Sequence, residues 1–274
     1  MTIKNRNILI ITGIILSSVL FLLGVFLFVL CLINFDKVSR LLPVYNGKLW
    51  GWFVPFNSIW VSMGAGLFLG LGGIVSSLFV VNLFQKTQTS EISFYVLFSV
   101  FSVLEVFRMV FPFQALYTLS PDLLLSVSRI LLFSRILGML ALAGTGIFSS
   151  QSNSSQTGKI ISSIIAISFF FALYIPFDTG MWTECLIHKP GYLSMFFVLY
   201  ALCVGAAFFS FYCSTEAQTS GEFRKAAWGI LFLFLGYLGL LLTSSLVIVC
   251  IAVVFYVLGT VLLLRGIHRY YLWN

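Results

Sequence analysis

Residues Ala226–Leu264 read AAWGILFLFLGYLGLLLTSSLVIVCIAVVFYVLGTVLLL, 39 consecutive residues without a charge. As one helix the run would be about 58 Å long at 1.5 Å per residue, nearly twice the roughly 30 Å of a bilayer's hydrocarbon core. Two short spans, Ala226–Leu242 and Ser245–Leu264, turning at Thr243-Ser244-Ser245, fit the length better. Working outward, further apolar runs predict spans at Ile8–Phe35, Ser58–Phe84, Ser93–Leu116, Pro121–Ser149, Ile160–Phe177 and Gly191–Ser214. The count is eight, with seven as the alternative if the last two fuse.

Composition agrees. Hydrophobic residues make up 60% of the 274 and charged residues 8%, against about 25% charged in soluble domains; mean hydropathy is +1.09. A chain this apolar is neither a soluble globule nor disordered. The apolar runs are continuous rather than alternating, which excludes a transmembrane β-barrel. The net charge is +7, but the 15 Lys and Arg are scattered with no basic block, which argues against nucleic acid as a partner. The fold class read here is all-α: a polytopic transmembrane helical bundle, one integral membrane domain over residues 1–274 with no soluble domain. The first span is too long for the 7–15-residue core of a signal peptide and no small-residue cleavage site follows, so it is expected to be retained.

The inner loops Gln85–Ile92, Gln151–Lys159 and Thr215–Lys225 are short and polar. The first outer loop reads DKVSRLLPVYNGKLWGWFVPFN from Asp36 to Asn57. Asp36 suits the start of a short helix ending before Pro43, and Trp50, Trp52, Phe53 and Phe56 suit the headgroup level.

Glu105 and Arg108 lie inside the third span, Arg129 and Arg135 inside the fourth. A central charge costs about 2.5–3.5 kcal/mol on insertion scales, so such groups face protein or water and find partners. The turn between these spans is well specified: Ser120 as N-cap, Pro121 at the first helical position and Asp122 at the positive helix end. Counting from that turn puts Glu105 roughly 20 Å deep and Arg135 roughly 21 Å, with Arg108 and Arg129 at roughly 15 and 12 Å. Glu105 and Arg135 are thus the natural interhelical pair, and Arg108 can share the carboxylate. Three arginines for one glutamate leave positive charge over. The cluster reads either as a lock between two helices or as a pocket for a carboxylate, phosphate or lipid headgroup, which the planar guanidinium binds bidentately; a proton relay centred on Glu105 is a third reading. The candidate ligand-binding residues are Glu105, Arg108, Arg129 and Arg135.

Ser99 and Ser102 extend a polar track below Glu105; Ser126, Ser128 and Ser134 flank the arginines, and Ser128 and Arg135 share a helix face. Pro112 removes the helical bond to the Arg108 carbonyl and predicts a kink there. Ser62, Gly66 and Gly70 form a small-residue face for close helix packing. Between the fifth and sixth spans, Asp178, Glu184, Cys185 and His188 fall in one outer loop, read as solvated with Trp182 as an anchor; one Cys-x-x-His without a second pair does not specify a metal site. Of the five cysteines, Cys203, Cys213 and Cys250 read as packing residues, while Cys31 and Cys185 share the outer side and can pair in an oxidising exterior. The basic, aromatic segment Arg265–Asn274 reads as an anchor on anionic lipid.

No nucleophile–base arrangement or metal motif is visible, so no enzyme activity, cofactor or metal is expected. The sequence points to an integral membrane protein that binds or transports a small anionic or lipid-like ligand. The alternative is a non-catalytic subunit or sensor module acting through protein–protein contacts. Expected partners are the lipid bilayer, an anionic ligand or lipid, and a protein partner or second copy of the chain.

Eight spans place both termini on one side. With the N-terminus inside, Lys4, Arg6, Lys86, Lys159, Arg224, Lys225, Arg265 and Arg269 are cytoplasmic, against Lys37, Arg40, Lys48 and Lys189 outside. The positive-inside rule therefore predicts cytoplasmic termini in the cell (inner) membrane. In a background lacking the native cysteines, Thr2→Cys should resist an impermeant thiol reagent in intact cells and react after lysis. Labelling from outside would reverse the topology.

Overall fold

Hydrocarbon offers the backbone no hydrogen-bond partner, so each apolar run closes its bonds within itself as a helix. The computed structural model describes residues 3–39, 59–84, 90–114, 116–148, 154–183, 186–218, 221–242 and 244–273. Its helices are α1 (Ile3–Ile33), α2 (Phe35–Ser39), α3 (Ile59–Phe84), α4 (Ser90–Ser102), α5 (Val110–Phe113), α6 (Pro121–Ile147), α7 (Ser154–Tyr174), α8 (Leu193–Gln218), α9 (Gly221–Leu242) and α10 (Leu246–Trp273). A 3-10 segment, Val103–Met109, joins α4 to α5 and makes the three one continuous span.

Among the described residues, eight helical segments are long and apolar enough to cross a membrane, as the sequence predicts. The split of Ala226–Leu264 falls where expected, with α9 ending at Leu242 and α10 starting at Leu246. The third, fourth and seventh spans form the core; the first, fifth, sixth and eighth turn most of their surface outward. Ser120 caps α6, its side chain accepting from the Leu123 N–H, with Pro121 following. The cluster Trp50, Trp52, Phe53 and Phe56 lies outside the described residues.

Glycine decides which helices approach closely. A Cβ on Gly229 would lie 2.6 Å from the Leu263 nitrogen, and Cβ atoms on Gly236 and Gly259 would press equally into the backbone of the facing helix. These three positions knit α9 and α10 into a tight antiparallel pair. The small face of α3 meets the third span of the same chain: a Cβ on Gly66 would sit 3.0 Å from the Glu105 carbonyl oxygen, and one on Gly73 2.7 Å from Ser102 Oγ.

The loop after the fifth span departs from the reading as a solvated segment. Strands β1 (Phe177–Trp182) and β2 (His188–Pro190) pair antiparallel. Leu186, Ile187 and His188 are buried, and Leu186 and Ile187 join an apolar cluster with Met109, Phe111 and Val127. Leu186 and Tyr192 take positive φ, at 57° and 58°, a region bulky residues seldom adopt. The His188 ring stands edge-on to Phe111 at 5.8 Å. Burial holds its imidazole below the ordinary histidine range, and Asp178 pulls the other way. Glu184, Cys185 and the side chain of Trp182 lie outside the described residues, so the Cys31–Cys185 pairing does too; Cys31 is buried.

Replacing Gly236 or Gly259 with alanine should cost about 3 kcal/mol or more, beyond the usual 1–3 kcal/mol of overpacking, because the obstacle is backbone. Gly205, with nothing within 4 Å of its Cβ position, should accept alanine at no cost. Thermal unfolding of the purified variants in one detergent separates the two classes.

Candidate functional site: a buried carboxylate shared by two arginines

Glu105 and Arg108 sit in the 3-10 segment, and both are fully buried. In a 3-10 helix side chains at i and i+3 eclipse, so these two groups stand one above the other. Arg108 Nε donates to Glu105 Oε2. Across the interface Arg135 of α6 engages the same carboxylate with both ends of its fork, Nε to Oε1 at 2.9 Å and Nη2 to Oε2 at 3.2 Å. The Arg135 side chain is 11% exposed, so the cluster is nearly sealed.

Arg108 has a second partner that the sequence does not announce. Its Nη1 donates to the Leu240 carbonyl at 3.0 Å. Leu240 lies in the last turn of α9, where carbonyls have no intrahelical donor and the helix dipole is negative. Arg108 thereby caps α9 from the side. Its Nη2 is buried and makes no hydrogen bond.

Arg129 does not join the cluster. It is exposed, six residues from Arg135 and therefore about 120° away around an α-helix. Ser128 is buried but returns its hydroxyl to the Leu124 carbonyl, and Ser126 does likewise to Asp122. Ser134 does bridge the helices, donating to the Phe101 carbonyl at 2.7 Å. The distortion expected at Pro112 lies N-terminal to it, as the 3-10 segment itself.

Two tyrosines complete the surroundings. Tyr200 of α8 and Tyr237 of α9 are buried and close enough to interact electrostatically with Glu105, Arg108 and Arg135. The Tyr237 hydroxyl makes no hydrogen bond; it fits beside α6 because residue 138 is glycine, whose Cβ would lie 2.7 Å from the oxygen. A tyrosine in an apolar span is the only mark the sequence carries of either.

Glu91 is a further buried acid. Assigned by sequence to the inner loop, it falls in the first turn of α4, 1% exposed, and accepts from the Tyr271 hydroxyl at 3.1 Å. Its spacing to Tyr95, Ser99, Ser102 and Glu105 is the signal that could have placed it. Among the described residues no three His, Cys, Asp or Glu side chains could hold a metal. A cavity of about 10 Å³ between α1 and the 3-10 segment is lined by Leu20, Gly24, Leu27, Val103, Val106 and Phe107 and does not reach the ion pairs.

A carboxylate shared by two guanidiniums makes a specific prediction. Removing one partner of a buried pair costs about 3–5 kcal/mol, more than removing the pair. Glu105→Ala should therefore destabilise more than Glu105→Ala combined with Arg135→Leu, read as melting temperature. Additive losses would mean that the two side chains do not interact.

Compared with known proteins, the chain matches no family model, no curated protein sequence and no solved structure.

Proposed function

We propose that this integral membrane protein binds an anionic group, a carboxylate or phosphate free or on a lipid, at the arginines that hold Glu105. The observation that carries the reading is the charge balance. Two guanidiniums face one carboxylate, leaving one positive charge in a nearly sealed site. Arg108 Nη2 and the Tyr237 hydroxyl are buried there without a partner, and a buried cationic donor left unsatisfied is costly. An anion drawn to that charge gives both groups a partner. Arg135, the partly exposed member, gives the approach. Transport across the membrane is the extension of this reading in which the site opens to both sides.

A second reading has its own support. Glu105 and Arg108 are wholly buried, and the dipole of α9 offsets part of the excess charge through the Leu240 carbonyl. In that case the cluster is a lock and the protein acts as a membrane subunit or sensor module through its lipid-facing helices.

Ligand-dependent thermal shift and mass spectrometry of co-purifying lipids and metabolites separate the two. With inorganic phosphate, acetate and phosphatidylglycerol as probes, wild type should melt higher and Arg135→Gln should lose the shift. Glu105→Gln should keep or strengthen it, because the competing carboxylate is gone. Arg129→Gln should behave as wild type. Identical profiles in all four proteins would remove the ligand reading and leave the lock.

A further inference from the structure

One face of the third span is polar from the inner end of the helix to the ion pairs. Glu91, Tyr95, Ser99, Ser102, Glu105 and Arg108 all lie on it, and each is 0–1% exposed. The steps are four, four, three, three and three residues. Steps of four then three hold one face of an α-helix; three consecutive steps of three do not, because nine residues at about 100° each turn through two and a half revolutions. The 3-10 segment, at about 120° per residue, keeps Ser102, Glu105 and Arg108 in line. The local helix type is what makes the row continuous.

Other helices add hydroxyls to it. Ser76 of α3 donates to Ser99 Oγ at 3.1 Å. The Tyr95 hydroxyl faces Ser76, Ser99 and Thr260, and Tyr256 faces Ser102. Gly73 lets α3 lie directly against Ser99 and Ser102, with no room for a Cβ between them. These neighbours stand within hydrogen-bonding reach, yet in strict geometry the Tyr95, Tyr256 and Thr260 oxygens and Glu91 Oε2 close no bond with them. Buried polar atoms are satisfied by protein or by water in nearly all native structures, and internal water makes about three bonds to such groups. Four buried oxygens that reach polar neighbours without closing a bond match that chemistry. Glu91, with Tyr271 as its titratable neighbour, heads the row. The titratable groups facing Glu105 are Arg108, Arg135 of α6, Tyr200 of α8 and Tyr237 of α9.

We propose that this row is a hydrated proton track that loads Glu105 from the Glu91 end of the span and so couples proton uptake to anion binding. The coupling rests on the anion-binding reading; the track does not. A proton from water binds Glu91. Each oxygen along Tyr95, Ser99 and Ser102, with water between, accepts a proton and passes its own forward. The Glu105 carboxylate becomes the acid, releases its bonds to Arg108 and Arg135, and both guanidiniums turn to the incoming anion. One proton and one negative charge enter together, so the buried charge stays at its resting value.

The test uses the full chain in weakly buffered detergent with a pH-indicator dye, adding inorganic phosphate or short-chain phosphatidylglycerol and following thermal shift in parallel. The two probes distinguish a free anion from a headgroup. The expected result is uptake of about one proton per anion bound, by linkage, with Tyr95→Phe and Glu91→Gln slowing it several-fold while the thermal shift persists. A shift without uptake, or uptake at the wild-type rate in both variants, overturns the track and leaves the anion reading standing. If neither probe shifts the melt, the anion reading and the coupling fall, and radiolytic footprinting of the unliganded chain decides the track. Tyr95 and Tyr256 modified at rates approaching exposed Tyr117 and Tyr174 support it; protection equal to that of Phe211 overturns it. Should Glu91→Gln fail to fold, Tyr95→Phe and Ser99→Ala carry the same measurement.

Discussion

A carboxylate cannot remain ionised in hydrocarbon alone, and the centre of this protein is arranged around that constraint. Glu105 has to meet its cations within the bundle, which fixes the register of the third span against the fourth. Arg135 reaches it from α6 with a two-point grip. Arg108 reaches it from one 3-10 turn above, then uses its remaining reach to close the end of α9. One acid thus ties three spans together, directly or through Arg108. A buried ion network of this kind adds little net stability over an apolar core; its value is that wrong registers leave charges unpaired.

Close packing around the network is the work of missing side chains. Gly66 lets the backbone of α3 lie against Glu105 and Arg108, and Gly138 leaves room for the Tyr237 hydroxyl. Lipid tails are as apolar as leucine, so these helices gain little from hydrophobic association; van der Waals contact and hydrogen bonds must hold them. That is why small residues gather on α3 and α9 where these helices meet their neighbours.

How much of this was legible follows from which coordinate the sequence encodes. Depth along the membrane is a residue count, so the spans could be read from the lengths of the apolar runs and the Glu105–Arg135 pairing from the turn at Ser120-Pro121. Angle around the helix is also encoded, and grouping Arg129 with Arg135 by charge sets aside both the roughly 9 Å of depth and the about 120° that separate them. Lateral neighbours are not encoded in this way: nothing in spans six and seven says that Tyr200 and Tyr237 meet the arginines. Glu91 was hidden by a boundary convention, since the apolar run begins at Ser93 and an acid before it resembles loop. The β1–β2 pair was obscured because Gly180 and Pro190 carry turn chemistry, and its capping role depends on Leu186 and Ile187 finding Phe111 in space.

The 3-10 segment links these observations. An α-helix through residues 103–109 would place Arg108 about 120° from Ser102, turning either the arginine or the serine row away from the core. Tightening to three residues per turn aligns them and lengthens the segment by about 0.5 Å per residue. Pro112 favours this adjustment, because its ring leaves the Arg108 carbonyl without its α-helical donor and bonds of the i to i−3 type cost less there than elsewhere in the span. Short 3-10 stretches inside helices accompany functional hinges or local strain. Here the stretch coincides with the charges, so returning it to α-geometry would rotate Glu105 and Arg108 relative to each other and to Arg135. The segment that assembles the ion pairs is therefore also the one whose change of pitch would take them apart.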